Sequence, residues 1–217
     1  MKINYIRSLL SFITQSKKVF IIKRFLLILI LALSFHSLSK ADDITDFEIE
    51  GISIGDSLLD YFSESEINNS KPVYYPSSKK FFQLNFWNTN DDKTYEFLTF
   101  LVKASDKKYY IYEMAGYVDY KRNVQDCYKQ EKKIINEIKS ILNFVDFKDY
   151  GKQKKNIDKT GKSTTTISQF YFADGGIIKV SCDDWSLEWE NKGEIDGISV
   201  SVASKEAFDW FVDEAYK

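Results

Sequence analysis

The chain has 217 residues, with 30 Lys and Arg, 32 Asp and Glu, one His and two Cys. Its charge is uneven: residues 1–41 hold seven basic residues and no acidic one, so residues 42–217 carry a net charge of −9. An acidic surface repels phosphate backbones, which argues against nucleic acid as a partner. The single His36 lies in the first 41 residues, so the rest has no imidazole for a catalytic triad or a His-ligated metal.

The first 41 residues have the layout of a secretory signal peptide. Four basic residues between Lys17 and Arg24 precede an unbroken apolar run over residues 25–33, and small residues follow at Ser39 and Ala41. We predict cleavage after Ala41, which leaves one exported domain over residues 42–217 in the periplasm or outside the cell. The alternative is an uncleaved N-terminal membrane anchor with the C-terminal domain outside. The apolar run is about half of the ~20 residues that a membrane span needs.

One short strand, a helix and a meander are predicted in the first half of the exported part. Residues 42–50 alternate weakly and predict a short first strand, and Asp56 caps a helix over residues 56–67. A connector with Pro72 and Pro76 follows. Alternating aromatic and β-branched residues then predict three antiparallel strands, over residues 81–87, 94–103 and 109–118.

The second half begins with a long helix. Asn123 is its expected cap, and residues 124–142 are apolar at a period near 3.6, with Cys127 on the apolar face. Residues 146–162 are rich in lysine and predict a loop. Two alternating segments, 165–172 and 177–182, flank Asp174-Gly175, which predicts a hairpin with a type I′ turn.

Three further elements complete the chain. Residues 183–190 continue the alternation and are expected to form a strand, residues 198–202 form another strand, and Ser204 caps a final helix over residues 205–216. Strands thus neighbour strands instead of alternating with helices. The predicted class is α+β, with a mainly antiparallel sheet of meander and hairpins packed by two or three helices.

Cys127 and Cys182 are expected to form a disulfide between the long helix and a strand. An even pair of cysteines in an exported protein predicts such a bond, and two buried free thiols are the alternative. Closing this loop would restrict the unfolded chain by about 4 kcal/mol. A bonded pair leaves no thiol nucleophile, and two cysteines alone do not make a zinc site. We therefore expect no catalytic residue, no metal and no cofactor.

One cluster of polar and aromatic residues near the end of the hairpin is a candidate binding surface. Its members are Asp184, Trp185, Glu188, Trp189 and Glu190. Two carboxylates beside aromatic rings are the groups that glycan hydrolysis uses. The alternative interpretation is structural, with the carboxylates on the solvent face of a strand and the tryptophans in the core. Other aromatic residues, Trp87 among them, are candidates for a glycan- or protein-binding platform on an open sheet face.

Residues 52–59, Ile-Ser-Ile-Gly-Asp-Ser-Leu-Leu, place a glycine turn before a capped helix, and a meander follows. This arrangement resembles the entry to BamE/SmpA-type envelope modules and the BLIP-like fold, over about sixty residues. The family usually has Gly-Met where this chain has Gly55-Asp56. The resemblance implies a non-enzymatic envelope scaffold that binds other proteins.

The sequence therefore predicts an exported, non-catalytic binding or assembly module of the cell envelope or periplasm. The expected partner is another envelope protein or a glycan, and a membrane contact is expected only through an uncleaved N-terminal segment. The alternative from another class is a carboxylate-based glycan hydrolase or a carbohydrate-binding domain.

Overall fold

Ten strands and four helices make up the part of the chain that the computed structural model describes, residues 43–88, 94–142 and 145–217. The predicted signal peptide lies outside these ranges. The strands are β1 (Glu48–Ile49), β2 (Ile52–Ser53), β3 (Val73–Tyr74), β4 (Phe81–Trp87), β5 (Phe97–Lys103), β6 (Ile111–Asp119), β7 (Asp146–Lys154), β8 (Thr164–Tyr171), β9 (Ile177–Asp184) and β10 (Gly197–Ala203). The helices are α1 (Glu64–Asn69), α2 (Val124–Ile141), α3 (Leu187–Glu190) and α4 (Lys205–Asp213).

Eight strands form one antiparallel sheet in the order β3-β4-β5-β6-β10-β9-β8-β7. Each half of the sheet is a run of four consecutive strands that starts at an edge and ends in the centre. The halves meet where β6 pairs with β10. Helix α1 precedes the first run and α2 precedes the second. The predicted α+β class with a mainly antiparallel sheet is confirmed.

One face of the sheet, which we call the covered face, carries the main core. Its strands present every second side chain to it, as Ile198, Val200 and Val202 of β10 do. Residues from the short β1–β2 hairpin and from α2 complete this cluster. The main contacts of α2 are with β9 and β10, two neighbouring strands on one side of the sheet centre. Burial of alternate apolar residues thus fixes which way each strand faces.

The disulfide between Cys127 of α2 and Cys182 of β9 lies inside this core. Both residues are fully buried, and the bond closes a sequence separation of 55. The predicted link between the long helix and a strand is therefore confirmed.

Helix α4 covers one end of the opposite face. Ser204 caps it by accepting a hydrogen bond from the backbone N–H of Ala207. Trp210 is 1% exposed and packs against Phe81 of β4, with ring centroids 5.0 Å apart. The predicted final helix is confirmed, although it ends at Asp213.

The helix predicted over residues 56–67 is wrong in its extent. A single 3-10 turn covers Leu58–Asp60, and α1 begins only at Glu64. Ser63 and Glu66 form a reciprocal capping box there, which starts a new helix instead of continuing the turn. The expected first strand over residues 42–50 is likewise shortened to a two-residue strand paired with β2.

The loop predicted over residues 146–162 is wrong for its first half, which forms the edge strand β7. Its residues pair with β8, with a bulge between Asp149 and Gly151. The next hairpin, β8–β9, is confirmed, but its type I′ turn is not. Only Gly175 of the central pair has a positive φ, 87°, and Asp174 instead accepts a hydrogen bond from Gly176 N–H at 2.8 Å.

Candidate binding surface

The candidate residues at the end of β9 do not continue the strand, which corrects the sequence prediction. Strand β9 ends at Asp184, and Leu187–Glu190 form the short helix α3. Trp185 N–H donates to Asp196 Oδ1 at 2.7 Å, and Ser186 N–H donates to Ser163 Oγ at 3.0 Å. These side-chain oxygens take the place of the backbone carbonyl groups that a neighbouring strand would offer, so the backbone leaves the sheet here. The predicted alternation of solvent and core faces over residues 185–189 is therefore absent.

Asp184 joins three elements of the fold. Its Oδ2 accepts hydrogen bonds from Tyr128 Oη of α2 at 3.0 Å and from Lys152 Nζ of β7 at 2.9 Å. Thr164 Oγ1 of β8 donates to the same oxygen at 3.3 Å. The carboxylate thus ties α2 and the edge strand to the sheet.

The two glutamates of the candidate surface are also paired with cations. Glu188 Oε1 lies 2.8 Å from Lys192 Nζ, and Glu190 Oε2 lies 3.8 Å from Arg122 Nε. A glycosidase needs one carboxyl group that carries a proton beside a second that is ionised. Both carboxylates are engaged with cations of the protein itself, an arrangement that does not favour hydrolysis.

Trp185 and Trp189 are brought together, with ring centroids 5.7 Å apart. Each ring has a lysine near it: Lys155 Nζ lies 4.1 Å from the centroid of Trp185, and Lys192 Nζ lies 4.4 Å from that of Trp189. Lys155 also pairs with Asp183 at 2.8 Å. The two tryptophan rings are half-buried and already lie against each other and against the two lysines. Less of their surface is therefore free to bind a ligand than the sequence pattern indicates.

A larger surface lies on the face of the sheet opposite α2, beyond the end that α4 covers. We call it the open face. Strand register places the following side chains on it: Asn85, Trp87, Phe97, Thr99, Glu113, Ala115, Tyr117, Ile167, Gln169, Lys179, Ser181, Ser199 and Ser201. None of them belongs to either of the two buried apolar clusters of the described residues, although Thr99, Ala115, Ser181, Ser199 and Ser201 are themselves buried.

Aromatic rings follow one row of the open face across three strands. Trp87 and Phe97 have centroids 4.5 Å apart, and Phe97 and Tyr117 have centroids 5.6 Å apart. Trp87 is 67% exposed. The same row continues with two serines, Ser199 and Ser181, whose hydroxyls share a hydrogen bond of 2.9 Å. Large rings on one side and small hydroxyls on the other therefore make this surface uneven in height.

Two charged side chains stand near the centre of the open face. Glu113 of β6 is half-buried, and this burial raises its pKa to about 7, although the charge of Lys179 opposes the rise. Burial is the main cause that raises the pKa of Tyr75, and the negative charge of Glu113 is the second. The same two causes raise the pKa of Tyr117 and of Tyr216. The described ion pairs include neither Glu113 nor Lys179.

The sequence prediction missed both charges. Glu113 is the only charged residue in residues 109–118, and Lys179 is the only one in residues 175–182. A charged residue inside an otherwise uncharged strand was the available signal, because such a residue must face either solvent or a partner.

The described ranges contain neither a metal-ligand cluster nor a membrane-spanning helix. Within them no group of three or more His, Cys, Asp and Glu side chains could hold a metal ion. None of the helices in those ranges is both long and apolar enough to cross a membrane.

Comparison with known proteins gives no relative. No protein-family model matches the chain, and no curated protein or solved structure shows significant similarity to it.

Proposed function

We propose that the chain is an exported, non-catalytic binding module, and that the open face receives another envelope protein. The observation that carries this proposal is the contrast between the two sheet faces. The covered face is closed by α2 and the β1–β2 hairpin, whereas the open face carries the exposed ring of Trp87 at the end of a half-buried aromatic row and two charges outside the described ion pairs. Tyrosine and tryptophan are enriched in protein interfaces because they supply a large contact area at a low entropic cost.

Two further observations support an exported binding module. A buried disulfide is common in exported proteins and rare in the reducing cytosol. The carboxylates that a hydrolase would use are engaged with lysine or arginine. The class that the resemblance to BamE/SmpA-type modules implies, an envelope scaffold that binds proteins, agrees with this proposal.

Site-specific photo-crosslinking in the native cell envelope tests the proposal. A benzophenone side chain would replace Trp87 or Gln169 on the open face, and Lys132 on the exposed side of α2 would serve as the matched control position. We expect a protein adduct of one defined mass from both open-face positions and none from position 132. Adducts of equal yield from all three positions, or no adduct at all, would contradict the proposal.

A carbohydrate ligand is the second candidate. It is favoured by the exposed ring of Trp87 beside the side-chain amides of Gln83 and Asn85, which are linked by a hydrogen bond of 2.7 Å. A flat exposed ring with neighbouring amides suits a pyranose ring and its hydroxyls. Titration with cell-wall oligosaccharides should then change tryptophan fluorescence, and Trp87→Phe should abolish the change. A flat titration of the wild type removes this candidate.

A further inference from the structure

We infer that β7 pairs antiparallel with β7 of a second copy of this chain, so that two eight-stranded sheets become one continuous sheet. This inference goes beyond the proposed function, because it concerns an edge of the sheet and not its open face. The bulge of β7 and the order of its charges favour a second copy over an unrelated strand, and each is described below.

Strand β7 is the longer of the two edges of the sheet. It has nine residues, whereas the strand at the opposite edge, β3, has two. Seven of the nine residues are exposed, and no strand of the described ranges pairs with the outer side of β7. Its outer backbone groups are therefore accessible to another chain, as those of a free sheet edge are.

The pairing of β7 with β8 determines which backbone groups point outwards. Lys155 N–H donates to the carbonyl of Ser163 at 3.0 Å, so alternate residues of β8 counted from Ser163 face β7. Strand β8 is regular, because its register with β9 is unbroken, whereas the register with β7 shifts at the bulge. The residues of β7 that turn their N–H and C=O outwards are therefore Phe147, Asp149, Lys152 and Lys154.

The spacing of these four residues selects a second copy. They follow one another at intervals of two, three and two residues, because the bulge adds one residue in the middle. A regular strand offers outward groups at every second residue, so it loses step at the bulge. A second β7 that runs antiparallel has the same spacing, because two-three-two is identical in both directions. In a twofold dimer Phe147 then pairs with Lys154 of the second copy, and Asp149 pairs with Lys152.

The same register places opposite charges across the interface. Asp149 lies opposite Lys152 of the second copy, and Asp146 lies opposite Lys155. A register shifted by one residue would instead place Lys148 opposite Lys152, and like charges directly opposite each other destabilise a strand pair. The lysines that protect this edge from unrelated strands are thus matched by aspartates in one register only.

The centre of the interface combines a large and a small side chain. Tyr150 would lie opposite Gly151 of the second copy. Tyr150 is 44% exposed, and a Cβ added at Gly151 would have no atom within 4 Å, so the space beside this glycine is open. A ring that lies over a cross-strand glycine supplies the side-chain contact that glycine lacks.

A charge swap tests both the dimer and its register. The full exported chain, residues 42–217, is studied with its disulfide intact by sedimentation velocity at concentrations up to about 1 mM. We expect a reversible dimer of the wild type. Asp149→Lys and Lys152→Asp should each weaken dimerisation roughly tenfold, because each puts like charges opposite each other twice. An equimolar mixture of the two variants should restore the dimer, because every opposed pair at these positions again has one acid and one lysine.

A proline substitution tests the backbone pairing. Lys154→Pro removes an N–H that points outwards and leaves the bonds between β7 and β8 in place, so it should abolish the dimer. Lys154→Ala is the matched control, because it removes the same side chain and keeps the N–H, and it should still dimerise. Near-ultraviolet circular dichroism checks that each variant is folded. If a charge variant does not fold, the comparison of proline with alanine still decides the inference.

A wild type that stays monomeric over the whole concentration range would overturn the inference. A dimer that persists in Lys154→Pro, or a mixture of the charge variants that stays monomeric, would overturn it as well, because the contact would then lie elsewhere. These outcomes are distinct from failure of the proposed function. Photo-crosslinking at position 87 reports on the open face, and its result does not depend on whether β7 pairs with a second copy.

Discussion

The two faces of the sheet are formed by the same strands, yet they differ in what they bury. On β10 the covered face receives Ile198, Val200 and Val202, whereas the open face receives Ser199 and Ser201. Apolar burial is the main source of folding free energy. The comparison teaches that the covered face stabilises the fold by apolar burial, while the middle of the open face buries small, mostly polar side chains instead. The following four predictions test this difference, from the largest expected effect to the smallest.

Removal of the disulfide should have the largest effect. Replacing Cys127 and Cys182 together with alanine should lower the free energy of unfolding by about 4 kcal/mol, because the loop of 55 positions is no longer closed in the unfolded chain. Denaturant unfolding of wild type and double variant measures this. Mass spectrometry after alkylation should detect no free thiol in the wild type, and a variant as stable as the wild type would contradict the prediction.

Two phenylalanines of β5 provide a matched pair across the sheet. Phe100 is 1% exposed on the covered face, and Phe97 is half-buried on the open face. Phe100→Ala should cost about 3 to 4 kcal/mol, because it leaves a cavity in the core. Phe97→Ala should cost less than half of that amount in the same urea unfolding experiment. Equal losses would mean that both faces contribute equally to stability.

Gly116 tests close packing on the covered face. A Cβ at this position would lie 2.5 Å from the ring of Tyr95, so something must shift to admit it. We expect Gly116→Ala to cost about 2 kcal/mol in the free energy of unfolding. In a Tyr95→Ala background the same substitution should cost almost nothing, because the obstructing ring is absent. If Gly116→Ala costs as much in the Tyr95→Ala background as in the wild type, the ring of Tyr95 is not the group that obstructs the added Cβ.

The pH dependence of stability probes the open face. The pKa of Glu113 is raised from 4.5 to about 7 by burial, so between these values the folded state binds more protons than the unfolded state. Stability should therefore fall as the pH rises through this window. Glu113→Gln should remove this part of the slope and be more stable above pH 7 by roughly 1 to 2 kcal/mol. Glu131 and Glu137, also raised by burial, leave a residual slope of the same sign. Identical pH profiles for the two proteins would refute the assignment.

Much of the covered face was predictable from the sequence. Period-two alternation identified β4, β6, β9 and β10, and the apolar period of α2 placed Cys127 towards the sheet. These signals are strong because burial on one side constrains every second residue of a strand and one face of a helix. The pairing of β6 with β10 was not predictable, since neither strand carries a local signal for a partner about eighty residues away.

The edge of the sheet and the end of β9 were mispredicted for different physical reasons. Strand β7 has a solvated edge and four of its nine residues are Lys or Gln, a composition that protects an edge from further pairing and resembles a loop. The alternation of Trp185, Leu187 and Trp189 mimicked a strand, but Asp196 and Ser163 draw the backbone away from the ladder. Long-range side-chain acceptors of this kind have no local pattern.

The open face was only partly foreseen. An aromatic platform was expected, and Trp87 was among its candidates, but Glu113 and Lys179 were not singled out. Their importance depends on which strands become neighbours, because only the meeting of β6, β10 and β9 brings the two charges onto one surface.

Both cysteines belong to the second run of strands and the helix before it. Oxidation therefore locks α2 onto β9 without requiring any residue of the first run. The hairpins of this second run join close neighbours in the chain, so it is suited to collapse early in folding, whereas the central pairing of β6 with β10 must wait for a distant strand. The disulfide can then form in a half-assembled protein, in which the unpaired edge of β10 is available to any strand that arrives before β6.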